Sequence, residues 1–192
     1  MLMSRQTAFL WRASYANASN DVPTCPEDMS GPAWASLLFG GAICQYCGAR
    51  PIMKVIFVLR RRVCNSCMKT HLDTPEKYIA EMKSKAPFIC EFTDSLPYTD
   101  YVLNSHGKML LGEYWWDEDV RALIGELSAI YRRISAKPLY EQKEIMQELR
   151  ATKETAFQAR MNHATICSEW VQRVELERIN ELNELRSKRI AE

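Results

Sequence analysis

Four of the chain's seven cysteines form two Cys-x-x-Cys pairs, Cys44 with Cys47 and Cys64 with Cys67, and sixteen residues separate the pairs. A Cys-x-x-Cys turn lets two sulfurs converge on one ion while backbone amides hydrogen-bond to them, and two such turns complete a tetrahedral thiolate set. The spacing C-x2-C-x16-C-x2-C is that of a zinc site, so one Zn2+ on Cys44, Cys47, Cys64 and Cys67 is expected. Four protein ligands leave no position for water or substrate, which makes this metal structural and adds its binding free energy to folding. A redox reading is weaker, because thiol oxidoreductases use one pair beside a βαβ unit, and no such unit is legible.

The residues between the pairs are basic. From Arg50 to Lys69 there are six basic residues and no acid, with Arg60, Arg61 and Arg62 consecutive. Such a run can meet phosphates, so a zinc-dependent nucleic-acid binder is the alternative function. Against it, only Tyr46 and Phe57 offer aromatic rings here, which is a poor stacking platform for bases. Otherwise these arginines face water or the acids of the Glu-rich C-terminal helix.

Other chemistry-bearing residues are sparse. His163 and Cys167 lie four apart on one helix face, and with Cys25 and Cys90 they raise the question of a second metal site. The preferred reading is a small buried cysteine and a satisfied histidine in a helix seam beside Trp170. His71, four residues after Cys67, faces a ligand set that is already full. The chain has three histidines and no nucleophile elbow, phosphate-cradling glycine loop or His-Glu-x-x-His, so no enzyme is expected. In EYWWDEDV the acids read as first-turn residues of the next helix, and Trp115 and Trp116 as core or as an interaction hot spot.

Several elements must position these residues. Ser30 caps, and Pro32 opens, a short helix carrying Trp34, Leu37, Leu38 and Phe39, which Gly40-Gly41 stops just before Cys44. Between the pairs, KVIFVL is strand-like, and Arg62-Val63 is expected to return antiparallel to it. Thr74-Pro75-Glu76 starts a helix with Tyr78, Ile79 and Met82, and Pro87 ends it. Residues 86–116 read as irregular packing structure with one short strand in YVL. Val120, Leu123, Ile124, Leu127, Ile130, Tyr131 and Ile134 then mark one helix face, ended by Lys137-Pro138. From Leu139 to about Ala191 there is no Pro or Gly, so one long helix or two follow. Its last part alternates Glu with Arg and Lys around a narrow stripe that includes Leu182 and Leu185, an expected partner-docking surface. At the other end, Met1 to Trp11 read as an amphipathic helical tail.

The expected fold is therefore α+β, mostly α. A lead-in at 1–43 precedes a zinc-bound hairpin and helix at 44–85, of treble-clef or zinc-ribbon type. A packing segment at 86–116 and a helical hairpin at 117–192 complete it. With 192 residues, 47% of them hydrophobic, a sizeable core is affordable, and a net charge of +1 argues against wholesale polyanion binding. No apolar run spans a bilayer and no signal peptide is legible, so an intracellular protein without membrane contact is expected, its cysteines reduced.

Taken together, WRASYAN, PTCPEDMSGPAWASLLFGG, CQYCGA, LRRRVCNSC and ARMNHATICSEW followed by ELNELRSKR resemble the region after the F-box in F-box proteins of mushroom-forming fungi. The resemblance spans nearly the whole chain. It implies a non-enzymatic substrate-recognition part of a cullin-RING ubiquitin ligase subunit, with the family's cysteines at Cys44, Cys47, Cys64 and Cys67 and no catalytic residue. The F-box that docks a Skp-type adaptor in that family has no counterpart here, as Met1 to Phe9 at most match the run leaving its last helix. Adaptor binding by this chain alone is therefore not expected, and the partner is a protein of unknown identity.

Overall fold

The computed structural model describes residues 21–52, 54–85, 87–103 and 108–191, so the expected helical tail at Met1 to Trp11 lies outside the described residues. The chain divides into two compact units, one of Ala42–Met161 and one that combines Met1–Gly41 with Asn162–Glu192. The fold is mostly helical, with a small three-stranded antiparallel sheet, a four-cysteine cluster and a long C-terminal helix.

In the larger unit, helix α2 (Asn65–His71) leads into strand β1 (Leu72–Asp73) and helix α3 (Pro75–Lys85). A 3-10 segment, Pro87–Ser95, precedes strands β2 (Tyr98–Leu103) and β3 (Met109–Trp116), and helix α4 (Asp117–Ile134) follows directly. The sheet order is β1-β3-β2, and Trp115 and Trp116 of β3 lie opposite Asp73 and Leu72 of β1. Within the segment 86–116, expected to be largely irregular, the described residues thus form a 3-10 helix and two antiparallel strands. Its second strand escapes a pattern reading because Met109, Leu110 and Leu111 are all substantially exposed while Trp115 and Trp116 are both buried, so no inside-outside alternation shows.

Successive side chains of a strand point to opposite faces, and β3 uses this to separate two cores. Trp116 packs with Cys44, Ile56, Leu59, Cys64, Met68 and Leu72, whereas Trp115 packs with Tyr78, Met82, Ile89, Phe92, Leu123 and Leu127. The buried positions of α4 are Val120, Leu123, Leu127 and Ile134, the face expected from periodicity. Residues 139–191 form one unbroken helix, α5 (Leu139–Ala191). Its first turns return along α4, where Lys153 pairs with Glu126 at 2.8 Å and Met146 and Leu149 pack on the Trp115 core.

In the smaller unit, helix α1 (Gly31–Phe39) starts as its sequence dictates, with the Ser30 hydroxyl accepting from the Ala33 amide. The helix buries Trp34 and Leu37 completely. Trp34 donates its indole N–H to Pro23 O at 3.1 Å, and its ring lies 5.3 Å from that of His163 on α5. Phe39 meets Trp170 edge to face at 6.1 Å.

Candidate metal centre

The two cysteine pairs sit on different local structures. At the first, the Cys44 amide donates to Ala49 O and the Gly48 amide to Cys44 O, which closes a tight turn with Gly48 at φ +73. That left-handed conformation suits glycine, as a Cβ would crowd the neighbouring carbonyl. At the second, Cys64 is the N-cap of α2, and its sulfur accepts from the Cys67 amide at 3.4 Å. The first pair thus sits on a tight turn and the second on the first turn of a short helix.

The segment joining the pairs departs from the expected hairpin. Ile56 and Arg61 form a single antiparallel bridge around Phe57–Arg60, with Arg60 at φ +56. Beyond the bridge, the backbone of Arg62 binds the first cysteine turn. Its carbonyl accepts from the Gln45 amide and its own amide donates to Gln45 Oε1, at 2.9 and 2.8 Å. Two residues on, the Cys64 amide donates to Cys44 Sγ at 3.4 Å, so the return limb is tied to the first cysteine turn at Arg62 and at Cys64.

These bonds bring the four sulfurs within 4.8 Å of one another, with Cys47 and Cys64 at 3.6 Å. Tetrahedral metal-sulfur bonds of about 2.3 Å require sulfur-sulfur separations of about 3.8 Å, so the set fits one ion. Cys44, Cys64 and Cys67 are buried and Cys47 is exposed, which leaves an entry path on one side. Burial pushes the Cys44 thiol up, but the amides of Cys47, Cys64 and Tyr46 outweigh it and bring it down to about 6. Cys67 is pushed above its ordinary range by burial and by the neighbouring thiols. One sulfur is thus ready to be an anion, and a cation's charge would displace the remaining protons.

The three arginines are committed within the protein. Arg61 donates two 2.7 Å bonds to the Asp119 carboxylate and lies 4.8 Å over the Trp116 ring. Its partner is the first turn of α4, not the Glu-rich stretch of the last helix. Arg60 and Arg62 are only 9% and 7% exposed, and their guanidiniums donate to Phe57 O and Ile52 O. Trp115 and Trp116 are core residues, while Leu182 and Leu185 are exposed on α5.

An aromatic cluster that sequence patterns did not reveal backs the centre. Tyr46, between the first two cysteines, donates to Glu118 at 2.5 Å and accepts from the Trp116 indole at 3.1 Å. His71 stacks on Trp116 at 5.0 Å. The first-turn acids of α4 are therefore divided: Asp117 holds Tyr78 and Arg121, Glu118 holds Tyr46, and Asp119 holds Arg61. No short motif encodes this, since Asp119 is 58 residues from Arg61.

His163 and Cys167 form a satisfied pair. His163 Nε2 lies 2.9 Å from Thr24 O, and since a carbonyl only accepts, that nitrogen carries the proton. In the neutral ring Nδ1 then accepts from the Cys167 thiol at 3.5 Å. Cys25 lies 3.5 Å from Met29 O. Among the described residues, Cys44, Cys47, Cys64 and Cys67 are the one group of three or more side chains with metal-holding geometry. Also among the described residues, no helix is long and apolar enough to cross a membrane.

Comparison with known proteins adds no relative: no family model matches the chain, and no curated protein or solved structure is detectably similar to it.

Proposed function

We propose that the chain is a non-enzymatic protein-interaction module in which one structural Zn2+ on Cys44, Cys47, Cys64 and Cys67 holds the larger unit together. The observation that carries this reading is the convergence of four sulfurs into a complete ligand set. Such a set fills the coordination sphere of zinc and leaves no site for a reacting water. All-thiolate tetrahedral geometry suits zinc or iron, and amide bonds to the sulfurs are what structural zinc turns use. Thiolates of this kind belong in a reducing, intracellular setting.

The biological role within this reading is that of the substrate-recognition part of an F-box-type ubiquitin ligase subunit, and it rests on the resemblance in the sequence blocks. It is tested by fusing the chain to an F-box that docks a Skp-type adaptor and mapping ubiquitinated proteins. The expected result is a defined group of proteins that gain ubiquitin only when all four cysteines are intact. Absence of any such group contradicts the role.

A nucleic-acid binder receives less support, because the arginines it needs are buried or paired. Retention on DNA or RNA that falls steeply with added salt would restore it.

A further inference from the structure

A groove of about 530 Å³ lies between the metal centre and the β2-β3 hairpin. Ile52, Ile56 and Met68 line it from the metal side, and Tyr101, Leu103 and Met109 from the hairpin. Its size is that of a binding cleft for a small number of side chains.

The hairpin wall extends beyond the groove. Tyr101 lies opposite Leu111 and Leu103 opposite Met109, so these four side chains share one face of the sheet. Met109 is 49% and Leu111 78% exposed, and the apolar surface therefore runs out of the groove along β3. A compact small molecule would not cover that extension; an extended chain, whose side chains recur on one side every second residue, would.

The groove also has a sign. Among the described residues, Lys54 is the only charged one that lines it, and no carboxylate does. The Lys54 ammonium sits 4.1 Å over the Tyr101 ring, which fixes the charge at the rim of the apolar floor. Arg50, between the lining residues Ala49 and Pro51, is exposed as well.

We infer that this groove binds an extended peptide segment that carries apolar side chains at alternate positions and a carboxylate for Lys54. This names the class of partner for the interaction module and rests on that reading. The metal is coupled to it, because Cys64, Asn65 and Ser66 form part of the wall.

The test uses the purified full chain and a random peptide display library, with no ubiquitination step, so its outcome is independent of the ligase role. Enriched peptides should combine alternating apolar residues with Asp or Glu. Lys54→Glu should weaken them by about tenfold or more, the loss of one charge-assisted contact, and should select basic peptides instead. Leu111→Asp, at an exposed position, should weaken them without changing metal content or the unfolding midpoint. Failure to enrich any peptide, or enrichment that is indifferent to Lys54→Glu, would overturn the inference. So would a dimer in solution that Leu111→Asp dissociates, since a second copy would then be the occupant.

Discussion

Arg61 and Asp119 join the metal turn to the first turn of α4 by two parallel 2.7 Å hydrogen bonds, and the Trp116 ring lies beneath the guanidinium. Burial works to lower the pKa of Arg61, but Asp119 and Tyr46 raise it, so the charge is held firmly. The basic run between the cysteine pairs is in this respect part of the scaffold.

The side chains of Arg61 and Asp119 are 16% and 23% exposed, between a surface pair and a buried one. A double-mutant cycle with Arg61→Ala and Asp119→Ala, followed by denaturant unfolding, should give a coupling of about 1–2 kcal/mol. Arg61→Lys should recover little of it, because an ammonium cannot make the paired bonds or stack on the indole. Additive single mutants would show that the pair is incidental.

Asp117 carries a pH signature. Its hydrogen bond to Arg121 holds its carboxyl below the ordinary value of 3.8, with a further contribution from Tyr78, and these outweigh the opposing effect of burial. A depressed folded-state pKa gives stability that is present above the ordinary value and is lost as pH falls through the folded one. Asp117→Asn should therefore lower the thermal midpoint slightly at neutral pH, and the difference should shrink as the pH drops below about 4. A difference that persists unchanged in acid would assign the effect to packing.

Gly48 sits at φ +73, and an added methyl meets nothing beyond its own chain neighbours, so it acts on the local backbone alone. Gly48→Ala should cost about 1 kcal/mol and Gly48→Asn less, since Asn tolerates the left-handed region better. Chelator competition should show the same order in metal affinity. Equal stability of all three proteins would mean that the turn relaxes freely.

What could be read from the chain beforehand was local. The cysteine spacing, the Ser30 cap and the apolar face of α4 depend on residues within a turn or two of each other, and each appears where its pattern puts it. What could not be read is long-range. The backbone of Arg62 binds Gln45, across seventeen residues, and the expected hairpin is reduced to the Ile56–Arg61 bridge. Trp115 and Trp116 look like one apolar block in sequence, yet β3 sends them into separate cores. The peptide groove draws its lining from four separated stretches, and only the one with Cys64 carries a motif.

We propose that one closed metal site holds the larger unit together. Native mass spectrometry of the reduced, purified chain, with tryptophan fluorescence followed during chelator titration, tests it most directly. Trp116 packs among the metal-side residues, so its emission reports the centre. One zinc per chain is expected, and chelation should unfold the metal side cooperatively with a red shift, because apo domains of this kind lose the free energy that the ion supplies. A protein that binds no metal, or that keeps its fluorescence and unfolding midpoint when the metal is removed, would contradict it.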